Sequence, residues 1–194
     1  MTIAATSFDQ LTTTAVERES LSALREATGG ANGPMERHCL RVRLIAAELA
    51  GQREWQLDHE ILTVASILHD IGLYPSASRG GVYTADGAAL ARELLTKHGW
   101  DAIRIDVCAD AIDRHHDMRT QLSRGAEVEA IRLADLADVS GGLVSFGLSR
   151  PWLKELMSAV PRRGLNGELA REVGRVLRER PTTLPRIFLR RSHG

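Results

Sequence analysis

The sequence predicts an all-α protein, and three observations support that fold class. Apolar residues recur almost throughout the chain with the spacing of about 3.6 residues that marks one face of a helix. No segment of strand length alternates convincingly between apolar and polar residues. Glycine or proline follows most of the periodic segments, where it favours the end of a helix. We therefore expect a domain built from helices alone.

The predicted helices follow one another from the N-terminus to a proline-containing tail that starts at Pro181. Ser7 or Asp9 can cap the first helix, because their side chains accept hydrogen bonds from the free N–H groups of a first turn. Pro34 suits the first turn of the second helix, and Gly51 is a typical stop. We expect eight helices, at about residues 7–27, 34–50, 57–71, 84–98, 102–116, 126–139, 151–160 and 166–178.

The third predicted helix is apolar on nearly all of its faces, particularly between Ile61 and Leu68. A helix of this kind is normally the central, buried one. The segment from Tyr74 to Val82 after it is rich in turn-forming residues and long enough for a mobile loop. We expect residues 1–33 to form an N-terminal helix and linker, residues 34–140 to form the core, and residues 141–194 to complete the same domain with C-terminal helices and a tail.

Composition and charge exclude several classes of protein. The 194 residues suit one domain, and 43% hydrophobic and 26% charged residues are ordinary for a soluble globular protein. Lys plus Arg and Asp plus Glu each number 25, so the net charge indicates neither a nucleic-acid nor a membrane partner. There is no leader-like segment and no run of about 18 apolar residues, so we expect a cytoplasmic location. The spacing of Cys39 and Cys108 indicates two buried free thiols.

The most informative motif is His69-Asp70, at the end of the helix that we expect to be the most buried. Burial of a carboxylate is costly unless it is paired or bound to a metal. Adjacent side chains on a regular helix diverge by about 100°, but near a helix end they can converge on one ion, and Gly72 permits the turn. Two other roles stay open, because Asp70 could cap a neighbouring segment and His69 could be a hydrogen-bonded core residue.

Two further residues strengthen the interpretation as a metal site. His38 lies in the second predicted helix next to Cys39 and Leu40, and Asp135 is embedded in the largely apolar sixth helix. Together with His69-Asp70 they form a nitrogen and oxygen ligand set that suits a divalent Mn, Fe, Ni, Zn or Mg ion. Such a site can leave positions open for water and substrate, as catalytic metal sites do.

The order His38, His69-Asp70, Asp135 resembles the HD-domain superfamily of metal-dependent phosphohydrolases, over roughly residues 34–139. The resemblance implies an all-α fold of five or more helices around one or two metals, with these four residues as ligands. Asp138 competes for the last position, but the Ala-Asp pair that ends at Asp135 is more similar to the family pattern.

The resemblance leaves the number of metals open. Some HD enzymes bind two ions through additional histidines, one of which often precedes a glycine where this chain has Asp86 before Gly87. We therefore predict one divalent ion, with a second ion near His115-His116 as the alternative. The Asp-Gly-Ala segment that starts at Asp86 is also similar to cyanamide hydratase-like HD proteins, in which a metal-bound water adds to a small nitrile.

Several residues around this motif are candidates for catalysis or substrate binding. Asp70, Asp86, His115 and His116 are candidate general acids or bases, because this kind of catalysis needs groups with a pKa near the working pH. Arg41 is a candidate substrate ligand, because a guanidinium can bind a phosphate through two hydrogen bonds. Structural roles are open for most of them: Asp86 could be the N-cap of the fourth helix, the paired histidines could favour a helix C-terminus, and Arg41 could form a supporting salt bridge.

Three functions follow from the motif. The first is a hydrolase that uses a metal-bound water on a small phosphorylated, nucleotide-like substrate. The second is a cyanamide hydratase-like lyase, and the third is a non-catalytic HD-fold binding protein. The complete ligand set favours the first two, and a phosphate substrate would use some of Arg37, Arg41, Arg79 and Arg114. We expect a small-molecule substrate, and the end helices could provide the face of a homodimer.

Overall fold

Helices account for the regular secondary structure in the computed structural model, which describes residues 7–182. Within these residues there is no strand, so the predicted all-α fold class is confirmed. Short 3-10 helices lie at Ile71–Leu73 and Leu122–Arg124. The nine α-helices of this part of the chain are α1 (Phe8–Leu11), α2 (Ala15–Thr28), α3 (Pro34–Gln52), α4 (His59–Leu68), α5 (Tyr83–Lys97), α6 (Ala102–Asp113), α7 (Ala126–Val139), α8 (Arg150–Ala159) and α9 (Leu165–Glu179).

Helix α4 lies at the centre of the fold, as its apolar sequence predicts. All of its residues from Ile61 to Leu68 are buried, and it contacts α2, α3, α5, α6 and α7. Helix α3 packs along α7, and α5 packs along α6. The site is therefore built between α3, α4 and α7, with α5 and α6 on its other side. Both cysteines are free and buried, as predicted.

The first predicted helix is two helices in the structure, because the chain leaves the helical conformation at Thr12. Thr14 begins α2 with a capping box, in which its hydroxyl accepts a hydrogen bond from the Glu17 amide and the Glu17 carboxylate accepts one from the Thr14 amide. The prediction of one continuous helix was wrong here, since the apolar period continues across a break that the caps define.

Two helices end earlier than predicted, and both ends lie at the site. Helix α4 ends at Leu68, and Asp70 has already left the helix with φ −105° and ψ 2°. Helix α6 ends at Asp113, before the paired histidines His115 and His116. Side chains beyond a helix end do not follow the helical 100° spacing, so these residues are able to turn towards one point.

The C-terminal helices pack over the segment that follows the His69-Asp70 pair. In α9, Glu168 accepts a hydrogen bond from the buried Tyr74 hydroxyl, and Arg175 donates to the Leu73 carbonyl. None of the helices in residues 7–182 has the length and apolar character needed to cross a membrane. Most of the predicted tail after Pro181 lies outside the described residues, and the predicted homodimer stays a prediction.

Candidate metal centre

Three helices bring the four predicted ligands to one buried place. His38 comes from α3, His69 and Asp70 follow the last turn of α4, and Asp135 comes from α7. All four residues are buried, and none has more than 4% of its surface exposed. Polar groups that are buried this completely require hydrogen-bond partners or an ion.

The ligand atoms of these side chains lie at distances that suit a shared ion. The Nε2 atoms of His38 and His69 are 3.0 Å apart, His38 Nε2 is 3.4 Å from Asp135 Oδ1, and His69 Nε2 is 3.5 Å from Asp70 Oδ2. Two ligands that each bind an ion at about 2.1 Å, with an angle of 90–110° between them, are about 3.0–3.4 Å apart. The cluster therefore has the dimensions of a coordination sphere.

Several buried atoms of this cluster have no hydrogen-bond partner among the described residues. They are Asp70 Oδ1, Asp135 Oδ1 and His115 Nε2. An unsatisfied buried acceptor costs about 1–3 kcal/mol, and more when it is charged. A divalent ion would satisfy such atoms, so the donor set fits a metal on chemical grounds as well as on geometry.

Backbone carbonyls fix the orientation of two of the imidazole rings. His69 Nδ1 lies 2.9 Å from the Ser66 carbonyl, and His115 Nδ1 lies 2.6 Å from the Ile112 carbonyl. Because a carbonyl can only accept, each Nδ1 carries a proton and donates it. In the neutral ring Nε2 then has a free lone pair directed at the cluster, which is how metal-ligating histidines are usually held.

The cluster has a second half, formed by Asp70, His115 and His116. Their ligand atoms lie within 4.8 Å of one another, as do those of His38, His69 and Asp135, so both triads could bind metal ions. His115 Nε2 is 3.5 Å from Asp70 Oδ1. The structure thus brings the paired histidines predicted from the sequence to the predicted metal ligands.

Asp138 supports the triad of His38, His69 and Asp135, which we call the first triad, through a hydrogen bond with His38. Its Oδ2 is 2.7 Å from His38 Nδ1, and it also accepts hydrogen bonds from Arg41 Nε at 2.5 Å and Nη2 at 2.9 Å. Burial alone would raise the pKa of this carboxyl, but His38 and Arg41 lower it to about 2. Asp138 is fully buried, so it faces the interior of the fold.

Arg41 was predicted to contact the substrate, and its observed contacts favour another role. Its side chain is fully buried, and besides Asp138 its Nη1 group donates to the carbonyls of Val160 and Pro161 at 3.2 and 3.3 Å. These contacts leave little of the guanidinium for a ligand. They favour Arg41 as a residue that positions Asp138, and through it His38.

Asp86 contacts the loop before α5 instead of the cluster. Its Oδ2 accepts a hydrogen bond from the Arg79 backbone amide at 2.7 Å and lies 3.5 Å from Arg180 Nη1. Asp86 is the fourth residue of α5, whose N-cap is Val82, so the alternative role as an N-cap was wrong. The predicted catalytic role of Asp86 stays a prediction.

Tyr83 was not identified from the sequence as a site residue. Its hydroxyl forms a hydrogen bond with His116 Nε2, and its ring centroid is 6.2 Å from that of His115. Gly72 makes this approach possible, because a Cβ there would lie only 2.0 Å from the Tyr83 carbonyl oxygen. The signal in the sequence is therefore indirect: a glycine directly after the His-Asp pair permits close packing of the next helix.

Near neutral pH the electrostatics favour metal binding at Asp70, His69 and His116, whereas neighbouring carboxylates raise the pKa of His38 and His115 against the effect of burial. Burial would raise the pKa of Asp70, but the surrounding imidazoles hold it well below its usual value. Burial lowers the pKa of His69, and burial together with His115 lowers that of His116 to about 4. At pH 7 this carboxylate is therefore charged and these two rings are neutral, which are the states that bind a cation.

The comparison with known families agrees with this geometry. The HD-domain family model matches residues 35–140, which is more than half of the chain. The chain belongs to the HD-domain family. The matched part of this HD domain contains every residue of both triads as well as Arg41, Tyr83 and Asp138. No curated protein matches the chain, and the narrower similarity to cyanamide hydratase-like proteins stays a prediction.

Proposed function

We propose that this HD-domain protein is a metal-dependent hydrolase of a small phosphorylated, nucleotide-like substrate. One divalent ion would be held by His38, His69, Asp70 and Asp135. The observation that supports this proposal is the convergence of these four buried side chains, with two carboxylate oxygens that no group within residues 7–182 satisfies. A binding module without a metal would have to bear the cost of those oxygens in its folded state. This cost makes a non-catalytic, metal-free protein the least favoured of the three functions.

A divalent ion held by His38, His69, Asp70 and Asp135 would supply Lewis acidity, which can lower the pKa of a bound water from about 15.7 towards about 7. The protein's own residues hold the site in the required geometry. The Ser66 carbonyl orients His69, and Asp138 with Arg41 orients His38. These contacts come from the protein itself, and partners of this kind orient the imidazoles that bind a metal.

His116 is where a substrate can meet the cluster. Its side chain is 26% exposed, whereas the side chains of Asp70 and Asp135 are 6% and 4% exposed. His116 Nδ1 lies 3.5 Å from Asp135 Oδ2, so a group held by this imidazole is close to the first triad. We propose that the neutral His116 ring binds the substrate there through a hydrogen bond, and that the buried His115 supports Asp70.

A phosphorylated substrate is proposed because HD-domain proteins are typically metal-dependent phosphohydrolases. One observation favours the cyanamide hydratase-like alternative: the arginines expected to bind a phosphate are engaged elsewhere. Arg37 donates to the Pro161 and Arg163 carbonyls, Arg79 pairs with Glu93, Arg114 pairs with Asp110 and Asp117, and Arg41 is buried against Asp138. A small uncharged nitrile would need none of these cations.

The proposal is tested by measuring metal content and activity together. The protein would be loaded with Mn²⁺ or Zn²⁺, analysed for bound metal, and assayed with nucleoside monophosphates, a chromogenic phosphomonoester and cyanamide. His69→Ala and Asp70→Ala should lose both metal and activity while circular dichroism stays helical. The matched control is His98→Ala, because His98 is a partly exposed histidine that pairs with Glu19.

The outcomes separate the candidate functions. Phosphate release that requires the metal supports the phosphohydrolase, and hydration of cyanamide without phosphate release supports the alternative. A folded wild-type protein that binds no divalent ion would refute both proposals.

A further inference from the structure

Helix α7 carries two apolar side chains on its surface next to the metal centre. Leu136 and Val139 are each 43% exposed, whereas most of α7 is buried. Val139 is four residues after Asp135, and residues at this spacing are neighbours on one helix face. Because side chains of a helix are tilted towards its N-terminus, Val139 leans towards Asp135. An apolar surface therefore begins directly beside one of the proposed ligands.

The segment that follows α6 lies against the same side of α7. His116 Nδ1 is 3.5 Å from Asp135 Oδ2, and the Asp117 carbonyl accepts a hydrogen bond from Arg132 Nη1 at 3.3 Å. Leu136 is four residues after Arg132, so it lies one helical turn beyond this second contact. The two exposed apolar side chains of α7 are thus next to the place where the His116 side chain is 26% exposed.

The next residue of this segment extends the apolar surface. Met118 directly follows Asp117, and 81% of its surface is exposed. Single exposed apolar residues are ordinary, but a group of them beside a polar cluster is typical of a binding site. We call this group the apolar rim, and it consists of Met118, Leu136 and Val139.

The cations that border the apolar rim already have partners. Arg132 donates to the Glu129 carboxylate from Nη2 at 2.6 Å and from Nε at 2.9 Å. Arg162 Nη2 donates to the Val139 carbonyl at 3.1 Å. A charged group placed against an apolar surface loses its hydration without gaining a partner, whereas an uncharged apolar group gains free energy by leaving water. The rim therefore suits an uncharged part of a ligand.

We infer that the substrate carries an uncharged aryl or alkyl group that packs on the apolar rim while its single phosphate is held at the metal centre. This inference rests on the proposed function, since it assumes that the reacting phosphate lies at His116 and the first triad. It narrows the proposed substrate to a monophosphate with an apolar group beside the phosphate. A second phosphate at the same place would contact the rim.

The kinetic test compares ethyl phosphate with 2-phenylethyl phosphate, which react at the same kind of group and differ in apolar surface. With the metal-loaded wild type, kcat/KM should be about tenfold higher for the phenylethyl ester. Leu136→Asn, which keeps a branched shape but is polar, should lower this ratio about fivefold, mainly through KM. Val139→Thr should change the ratio in the same direction. Leu177→Asn is the matched control, because Leu177 on α9 is 44% exposed, and it should keep the ratio.

A second test needs neither metal nor turnover. The metal-free protein with ¹³C-labelled methyl groups would be titrated with 2-phenylethanol, the alcohol that the phenylethyl ester would release. Ring currents of the bound phenyl group should shift the methyl resonances of Leu136 and Val139 and leave those of Leu177 in place. Ethanol should shift none of them.

The outcomes separate the inference from the proposed function. Absence of bound metal, or of metal-dependent phosphate release from both esters, refutes the proposed function and with it the inference. If phosphate release does require the metal, three results overturn the inference alone: equal kcat/KM for the two esters within twofold, an unchanged ratio in folded Leu136→Asn and Val139→Thr, or no methyl shifts at the rim. A wild-type dimer that Leu136→Asn converts to a monomer in analytical ultracentrifugation also overturns it, because a second copy would then cover the rim.

Discussion

Replacement of Asp138 by asparagine should weaken metal binding although Asp138 is not itself a proposed ligand. The Asp138 carboxylate accepts from His38 Nδ1 at 2.7 Å and from Arg41 at 2.5 and 2.9 Å. Asparagine has nearly the same volume but lacks the charge. Asp138→Asn therefore leaves the Arg41 guanidinium, which is fully buried, without its counter-ion. It also replaces one of the two acceptor oxygens that serve His38 and Arg41 by an NH₂ group that donates.

The size of the effect follows from these two losses. Removing one partner of a buried ion pair costs about 3–5 kcal/mol, so the free energy of unfolding of the metal-free protein should fall by about that amount. Loss of the carboxylate behind a metal-ligating histidine typically lowers metal affinity about 10–100-fold. Arg41→Lys keeps the charge but loses the two-pronged geometry, so it should produce a smaller loss of both quantities.

The assay is competition with a chromophoric chelator at pH 7, combined with urea unfolding of the metal-free protein. Asp106→Asn is the matched control, because Asp106 also pairs with an arginine at 2.5 Å but its side chain is 65% exposed. That variant should lose less than about 1 kcal/mol and bind metal as the wild type does. If folded Asp138→Asn binds metal within twofold of the wild type, the support that we assign to Asp138 does not exist.

Three further outcomes follow from the same contacts. Gly72→Ala should destabilise the protein by about 1–3 kcal/mol in urea unfolding, since its Cβ would lie 2.0 Å from the Tyr83 carbonyl, whereas Gly51→Ala has open space and should not destabilise. The pKa of Asp138 is about 2 in the folded protein against an ordinary 3.8. About 2 kcal/mol of stability should therefore be present above pH 4 and be lost as the pH falls towards 2, and Asp138→Asn should lack this pH dependence. Burial lowers the pKa of His38, but the surrounding carboxylates raise it well above its usual value. Metal affinity measured at pH 6, 7 and 8 should thus rise by up to about tenfold per unit, because the ion displaces the Nε2 proton.

The buried cluster of His38, His69, Asp70 and Asp135 could be predicted from the sequence, because a polar or charged side chain at each of these positions lies among apolar residues. A histidine and a carboxylate after the apolar run of α4, and a carboxylate in the apolar α7, each need an explanation that a local hydrogen bond does not supply. The apolar period also predicted that α4 is central. It did not predict that α4 ends at Leu68, since the period continues through Ile71 while the backbone has already turned.

The sequence left Arg41 with two roles, substrate binding or a supporting salt bridge, and could not decide between them because its partners lie far away in the sequence. Its guanidinium is held by Asp138 on α7 and by the carbonyls that follow α8, and no local pattern shows that these segments meet. Tyr83 presents the same difficulty, since a tyrosine at the start of a helix usually belongs to the core. Only the position of α5 against Gly72 places its hydroxyl beside Asp70 and His116.

The pairing of α3 with α7 explains how a support for the metal ligands can exist at all. His38 and Arg41 are three residues apart on α3, and Asp135 and Asp138 are three residues apart on α7. Residues at this spacing share one helix face, so two helices that pack along each other bring both pairs into contact. One end of this contact joins His38 to Asp135, where the ion is proposed to bind, and the other joins Arg41 to Asp138. The Asp138 carboxylate therefore links the buried Arg41 guanidinium to the His38 ring, because it accepts hydrogen bonds from both. The metal affinity of the centre can then change by substitutions that leave every proposed ligand in place.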